Sequence, residues 1–335
     1  MSRKRSDPSR AKARRQRIRA QKHAARSTPP ALDPSRALPS RHSFAAESTL
    51  RQIHALLEGE QFESAEDLNA RLQELTSGGQ LGELAQARKN DDPKWQAQEL
   101  VYDAMDAPDL MTALELVHRA LNLDPGCTDA QRLMVELSGV EPDNRIHLLR
   151  EVVSRAEEGF GPEFISENTG HFWGVLETRP YMRALQSLAD ASAKAGRLED
   201  AVQTYERMLV LNPNDNQGVR YALLGLYLAL RRRESAAKLF EQYPDEAEFS
   251  AAFAWGQVLE RWLADAFEEA GQALASARRQ NPFVERYLTG RKRLPESLPA
   301  TYSPGDDSEA QIAADQLAPA ISNSPEFVAW LQARK

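Results

Sequence analysis

The chain has 335 residues, of which 41% are hydrophobic and only one, Cys127, is a cysteine. This length accommodates one or two ordinary domains or one elongated repeat array, and a single cysteine excludes an intramolecular disulfide and is typical of a reducing compartment. No apolar run of about 18 residues occurs, so we expect no membrane-spanning helix, and MSRKRSDPSR lacks the apolar core of a secretion signal. We therefore predict a cytoplasmic protein that does not bind membranes.

The formal charge of −7 hides an asymmetry along the chain. Residues 1–41 hold 13 Lys and Arg against two Asp, a net charge of +11, whereas the remainder holds 29 basic and 47 acidic residues, a net charge of −18. The first half of this segment is almost purely charged, and the second half contains four prolines, which break helices. We assign residues 1–46 to a disordered basic tail.

Residues 47–92 carry the pattern of a helical hairpin. In TLRQIHALLEG the leucines and the isoleucine recur at helical spacing. The second helix, SAEDLNARLQEL, opens with Ser64 as an N-cap, and Asp67 follows three residues later. Glycine and proline clusters then mark loops.

An internal period begins at Lys94. Three later units begin at Met182, Gln217 and Ala251, and each pairs two helices with small residues where the helices cross. The phrases HRALNLDPGCTDA and ERMLVLNPNDNQG correspond closely, and AGRLEDAVQTYERML fits a second helix with its small and large residues in place. These spacings predict an all-α array of about four or five helix pairs.

Residues 94–127 and 182–284 resemble tetratricopeptide repeats on these motifs. The resemblance implies an α-solenoid over residues 93–290, in which each hairpin packs on its neighbours. We expect the extension over 291–335 to form capping helices, the last of them in SPEFVAWLQ. The N-terminal hairpin and this extension also resemble those of bacterial tetratricopeptide-repeat proteins, which implies no activity.

Two stretches depart from the repeat pattern. Residues 129–158 are helical in period but place His147 where the repeat has alanine, so we interpret them as a degenerate unit. Residues 159–181 form an insertion rich in Gly, Pro and aromatic residues. His171, Trp173 and Tyr181 could line a binding pocket there, although packing of the insertion's aromatic rings against the core is the interpretation we favour.

No catalytic constellation is visible. The sequence lacks a phosphate-binding glycine loop, a G-x-S-x-G nucleophile elbow and an H-E-x-x-H zinc motif, and its six histidines are scattered. Cys127 follows a repeat-closing proline and fits a small core residue better than a nucleophile. We therefore predict a protein that is not an enzyme and needs no cofactor or metal.

The resemblance implies that a protein or peptide partner binds the concave face, which the first helices of the repeats form. The Lys, Asn and Arg residues with which one subclass holds chaperone carboxylates are absent, because Gln and Tyr or Gln and Asp occupy those positions. The candidate partner-binding residues are Tyr102, Arg183, Gln186, Asp190, Tyr221, Trp255 and Trp262.

The basic tail supports an alternative function. Arg14, Arg15, Arg17 and Arg19 could neutralise phosphates of nucleic acid or the ribosome without sequence preference. The tail has no interleaved aromatic residues to stack on bases. There are two other interpretations. The segment could be a solvated tail that improves solubility or contacts the acidic body, or it could be a transit peptide.

Overall fold

The computed structural model describes residues 44–77, 81–89 and 91–334. This part of the chain folds into 17 α-helices and one short 3-10 helix and contains no strand. The all-α prediction is thereby confirmed, and the arginines proposed to bind nucleic acid lie outside the described residues.

Three helices precede the repeats: α1 (Ala45–Leu57), α2 (Ala65–Ser77) and α3 (Leu81–Lys89). The predicted cap is present, since Ser64 Oγ accepts a hydrogen bond from the N–H of Asp67 at 3.1 Å. Two features were not predicted: α1 begins at Ala45, inside the segment assigned to the tail, and α3 adds a third helix to the hairpin. Leu56, Leu75 and Ala85 form a small apolar cluster between them.

Ten helices then form five successive antiparallel pairs. They are α4 (Pro93–Met105) with α5 (Leu110–Leu123), α6 (Thr128–Leu137) with α7 (Pro142–Asn168), α8 (Arg179–Lys194) with α9 (Leu198–Leu211), α10 (Val219–Ala229) with α11 (Arg233–Gln242), and α13 (Ala251–Leu263) with α14 (Phe267–Gln280). A 3-10 turn (Leu176–Thr178) precedes α8, and the short α12 (Glu246–Phe249) precedes α13. We call the side formed by α4, α6, α8, α10 and α13 the first-helix face.

Local sequence explains where these helices begin. Asp92 accepts a hydrogen bond from the N–H of Lys94 at 3.0 Å, and Pro93 stands at the first helical position, where its missing N–H costs nothing. Asp109 caps α5 in the same way through Thr112 at 2.9 Å. These side chains satisfy N–H groups that a helix cannot pair internally.

The insertion after residue 158 is partly helical, which its Gly and Pro content did not indicate. The helix α7 continues to Asn168 through a kink at Gly161, whose φ of 78° lies in the region that favours glycine. Beyond it, the N–H groups of Gly170 and Phe172 donate to the carbonyl of Leu211 at 3.0 and 3.1 Å. The insertion thus covers the C-terminal end of α9 and satisfies its last carbonyl.

The C-terminal extension forms α15 (Val284–Leu288), α16 (Asp307–Ser322) and α17 (Pro325–Gln332). In α17, Phe327 and Leu331 are buried, and the ring of Phe327 packs against Trp262 at 5.5 Å. The longer helix α16 does not continue the array, because it turns back and lies on α10 and α13. It therefore covers the C-terminal part of the first-helix face.

Gly225 on α10 makes the approach of α16 possible. A Cβ atom built at this position would collide with the backbone carbonyl of Gln316 on α16. The backbones of the two helices therefore touch where no side chain fits between them.

We predict that Gly225→Ala separates α16 from α10 and lowers the free energy of unfolding by about 1–3 kcal/mol, the usual cost of overpacking. Gly271→Ala is the matched control, because Gly271 lies in α14 with no atom within 4 Å of its added Cβ. That variant gains helix propensity and is expected to be at least as stable as the wild type. Urea unfolding measures both, and equal stability of the two variants would contradict the packing of α16 described above.

Candidate functional site on the first-helix face

A buried carboxylate, Asp129 on α6, connects three repeats on this face. Its side chain is fully buried and forms ion pairs with Arg132, at 3.1 Å, and with Arg183 of α8. Gln98 of α4 donates a further hydrogen bond to it at 3.0 Å. Arg132 also pairs with Glu136 at 2.9 Å. The first helices α4, α6 and α8 are thus joined by charge rather than by apolar packing alone.

A second buried carboxylate, Glu47, comes from α1. It accepts hydrogen bonds from Arg183 at 3.0 Å on both oxygens, from Tyr102 at 2.8 Å and from Arg179 at 3.3 Å. The ring of Phe44 stacks on Tyr102 with 5.5 Å between ring centroids. Because Tyr102 and Arg183 belong to α4 and α8, α1 occupies the N-terminal part of the first-helix face.

The protonation states follow from these contacts. Burial alone would raise the pKa of Asp129, but the charges of Arg183 and Arg132 and the hydrogen bonds from Arg183 and Gln98 outweigh it and lower that pKa well below its usual value. Burial and the Glu47 carboxylate raise the pKa of Tyr102 far above its usual value. Asp129 is therefore ionised and Tyr102 is a hydrogen-bond donor at neutral pH.

The middle of the face lies between α1 and α16. Gln186 and Asp190 follow Arg183 on α8 at helical spacing, and both side chains are half-buried. Gln186 accepts a hydrogen bond from Gln217 at 2.8 Å, and Asp190 accepts one from Tyr205. These polar groups are held in place by their neighbours but keep part of their surface open to solvent.

Toward the C-terminus, the predicted aromatic residues pack within the protein. Trp255 is fully buried and its indole N–H donates to the carbonyl of Asn281 at 3.3 Å. Trp262 contacts Phe327 of α17, as described above. Tyr221 is half-buried and donates to Glu246 at 2.8 Å.

The aromatic residues of the insertion form a packed cluster. Phe172 and Tyr181 are fully buried with 5.9 Å between ring centroids, and the Tyr181 hydroxyl donates to Glu157. Trp173 is half-buried beneath the guanidinium of Arg179, and His171 is exposed. Tyr181 thus belongs to the packed cluster, whereas His171 is open to solvent, and a binding pocket lined by the three candidate residues stays a prediction.

A comparison with known protein families matches part of the repeat array. Residues 192–254, from the end of α8 to the start of α13, match the family model of the tetratricopeptide repeat. The match supports a tetratricopeptide-repeat protein. A search of curated proteins finds no match to the chain.

On the first-helix face, the structure brings only some of the predicted site residues together. Tyr102 and Arg183 meet at Glu47, while Gln186 and Asp190 lie further along α8, and the aromatic candidates belong to other helices. Sequence reasoning missed Glu47, Asp129 and Arg179. A charged residue in a helical pattern is normally a solvated one, so nothing in a single sequence distinguished these three.

The described part of the chain lacks two kinds of feature. No group of three or more His, Cys, Asp or Glu side chains is arranged to hold a metal ion. No helix among those residues is both long and apolar enough to cross a membrane.

The low pKa of Asp129 predicts a specific acid sensitivity. An unfolded aspartate has a pKa of about 3.9, so the contribution of ionised Asp129 to stability is complete above that value and is lost as the pH falls toward the lower folded-state pKa. In Asp129→Asn, the free energy of unfolding should fall less steeply below about pH 4, by up to about 1.4 kcal/mol per pH unit. Urea unfolding at successive pH values measures this, and parallel pH profiles would contradict it.

The aromatic cluster predicts which insertion residue supports the fold. Phe172→Ala removes a fully buried ring and should lower the free energy of unfolding by about 3–5 kcal/mol. His171→Ala changes an exposed neighbour in the same turn and should stay within about 0.5 kcal/mol of wild type. Thermal and urea unfolding compare the two. A stable Phe172→Ala variant would show that the ring is not a core residue.

Proposed function

We propose that this protein is a cytoplasmic, non-catalytic scaffold that binds another protein or peptide through the first-helix face of its repeats. The observation that carries the proposal is the array of five helix pairs with a tetratricopeptide-repeat match in its C-terminal half. Such arrays present one continuous surface made by successive first helices, and binding surfaces of repeat proteins are extended in this way. Tetratricopeptide repeats generally serve as protein-interaction scaffolds rather than as enzymes.

The chemistry of the face supports a polypeptide ligand. Gln186 and Asp190 offer hydrogen-bonding groups in the middle of the face, and Tyr221 adds a half-buried aromatic ring. Aromatic and polar side chains at partly buried positions are typical of protein interfaces. The candidate residues Tyr102, Arg183, Trp255 and Trp262 contact α1 or pack within the chain, so their part in binding a partner stays a prediction.

The state of the single thiol is consistent with a non-catalytic role. Burial, with smaller effects of nearby Asp129 and Asp124, raises the pKa of Cys127 to about 12. A thiol nucleophile reacts as its thiolate, which is scarcely populated at neutral pH with such a pKa. Cys127 instead packs among apolar residues of α4, α5 and α6.

A second candidate function follows from charge alone. Residues 1–41 carry a net charge of +11 and could anchor the protein to nucleic acid or the ribosome. In that case the tail would supply most of the affinity, and binding would weaken steeply as salt is raised. A contact made by the first-helix face would depend much less on ionic strength.

A charge placed in the middle of the face tests the scaffold proposal. Gln186→Arg introduces a cation on the half-buried surface of α8, whereas Gln203→Arg makes the same change on an exposed position of the second helix α9. We expect affinity capture from native lysate to retain protein partners with the wild type and with Gln203→Arg, and to lose them with Gln186→Arg. Mass spectrometry of the captured proteins is the readout.

The chain lacking residues 1–41, and nuclease treatment, provide the complementary arms of this experiment. Partners that persist in both arms bind the repeats. Partners that disappear with the tail or with nuclease, and are indifferent to Gln186→Arg, would refute the scaffold proposal and support the nucleic-acid alternative.

A further inference from the structure

The N-terminal helices are attached to the repeats mainly by polar and aromatic contacts. The apolar cluster of Leu56, Leu75 and Ala85 is separate from the two larger apolar clusters of the repeats. Between the units, Ser48 and Arg51 of α1 donate to Glu99 at 2.8 and 2.6 Å. An attachment of this kind can open without exposing a large apolar core.

Phe44, which is half-buried, and Glu47, which is buried, contact the first-helix face from the start of α1. They are three residues apart at the start of α1, so both side chains project toward the same surface. The ring of Phe44 lies on Tyr102, with the guanidinium of Arg183 5.5 Å from its centroid, and the carboxylate of Glu47 receives Tyr102, Arg179 and Arg183. An aromatic ring and a carboxylate therefore fill one receptor surface.

The repeats would hold this surface in place without α1. Arg183 is anchored by the buried Asp129, and Arg179 donates to the carbonyl of Trp173 at 2.9 Å. Tyr102 belongs to α4, which also packs against α5 and α6 of the repeats. The receptor is thus preorganised by α4, α6 and α8, and preorganised groups bind a ligand at lower cost.

Charge determines what the receptor accepts. Arg183 forms ion pairs with Asp129 and Glu47, and Arg179 forms one with Glu47 at 3.3 Å. Without Glu47, Arg179 loses its carboxylate partner in a largely buried position, which is costly. An occupant must therefore bring a carboxylate, and the stacking position beside it selects an aromatic ring.

We propose that Tyr102, Arg179 and Arg183 form a recognition site for a partner helix that presents an aromatic residue followed three residues later by Asp or Glu. In the free protein α1 fills this site as an intramolecular stand-in, and the partner helix displaces it. This inference rests on the proposed scaffold function and names the ligand chemistry of its N-terminal part. Because α1 is tethered at an effective concentration of roughly millimolar, the partner must compete with it.

A fluorescent peptide of residues 44–58 tests the site in trans against the full-length protein. In Phe44→Ala/Glu47→Ala the internal competitor is weakened, so fluorescence anisotropy should show peptide binding at least about tenfold tighter than to the wild type. Thr49→Ala is the matched control on the exposed side of α1 and should bind the peptide as weakly as the wild type does. A peptide carrying Glu47→Gln should lose at least about tenfold in affinity.

Equal binding to wild type and double variant, or indifference to the carboxylate of the peptide, would overturn the proposal. Hydrogen exchange of the wild-type protein gives a readout that does not depend on the folding of a variant. Excess peptide should accelerate exchange in α1 and leave the amides of α13 unchanged, and an unaltered α1 would refute displacement.

The outcome can be separated from that of the scaffold experiment. If Gln186→Arg loses the captured partners and the peptide does not bind, the scaffold proposal is supported and the recognition site proposed here is refuted. If the peptide binds specifically but partner capture is insensitive to Gln186→Arg, the recognition site is supported and partner binding at the middle of the first-helix face is refuted.

Discussion

The guanidinium of Arg183 joins two buried carboxylates, Asp129 from the repeats and Glu47 from α1. Its ion pairs with both, together with Arg132 at Asp129 and Arg179 at Glu47, compensate the two charges in their buried positions, since an unpaired buried carboxylate is costly. The pairing also sets geometry, because a planar guanidinium donates its N–H groups to carboxylate oxygens only in its own plane. Arg183 therefore links α1, α6 and α8 directly.

This constraint explains why the first-helix face differs between its two ends. At the N-terminal end, charge and an aromatic stack hold α1 against α4 and α8. At the C-terminal end, α16 reaches α10 and α13 by close backbone approach at Gly225 and by apolar packing. The first contact is exchangeable for another carboxylate-bearing helix, whereas the second belongs to the main apolar core.

The helical elements could be read from the sequence because their determinants are local. Ser64, predicted as a cap, lies close in sequence to the N–H group that it caps, and the repeat period places small residues where paired helices cross. The residues of the candidate site were harder to predict from the sequence. Tyr102 and Arg183 were found because the repeat frame places them on first helices, but Glu47 and Arg179 carry no local signal that separates them from solvated charges.

The sequence by itself determined the all-α class, the repeat period and the separation in charge between a basic N-terminal segment and an acidic remainder. These follow from spacing, caps and composition, which act over a few residues. Only the tertiary structure decided that α1 and α16 return to the first-helix face and that Glu47 meets Arg183 across 136 positions of chain. Such long-range pairings depend on the packing of whole helices, and no short stretch of sequence encodes them.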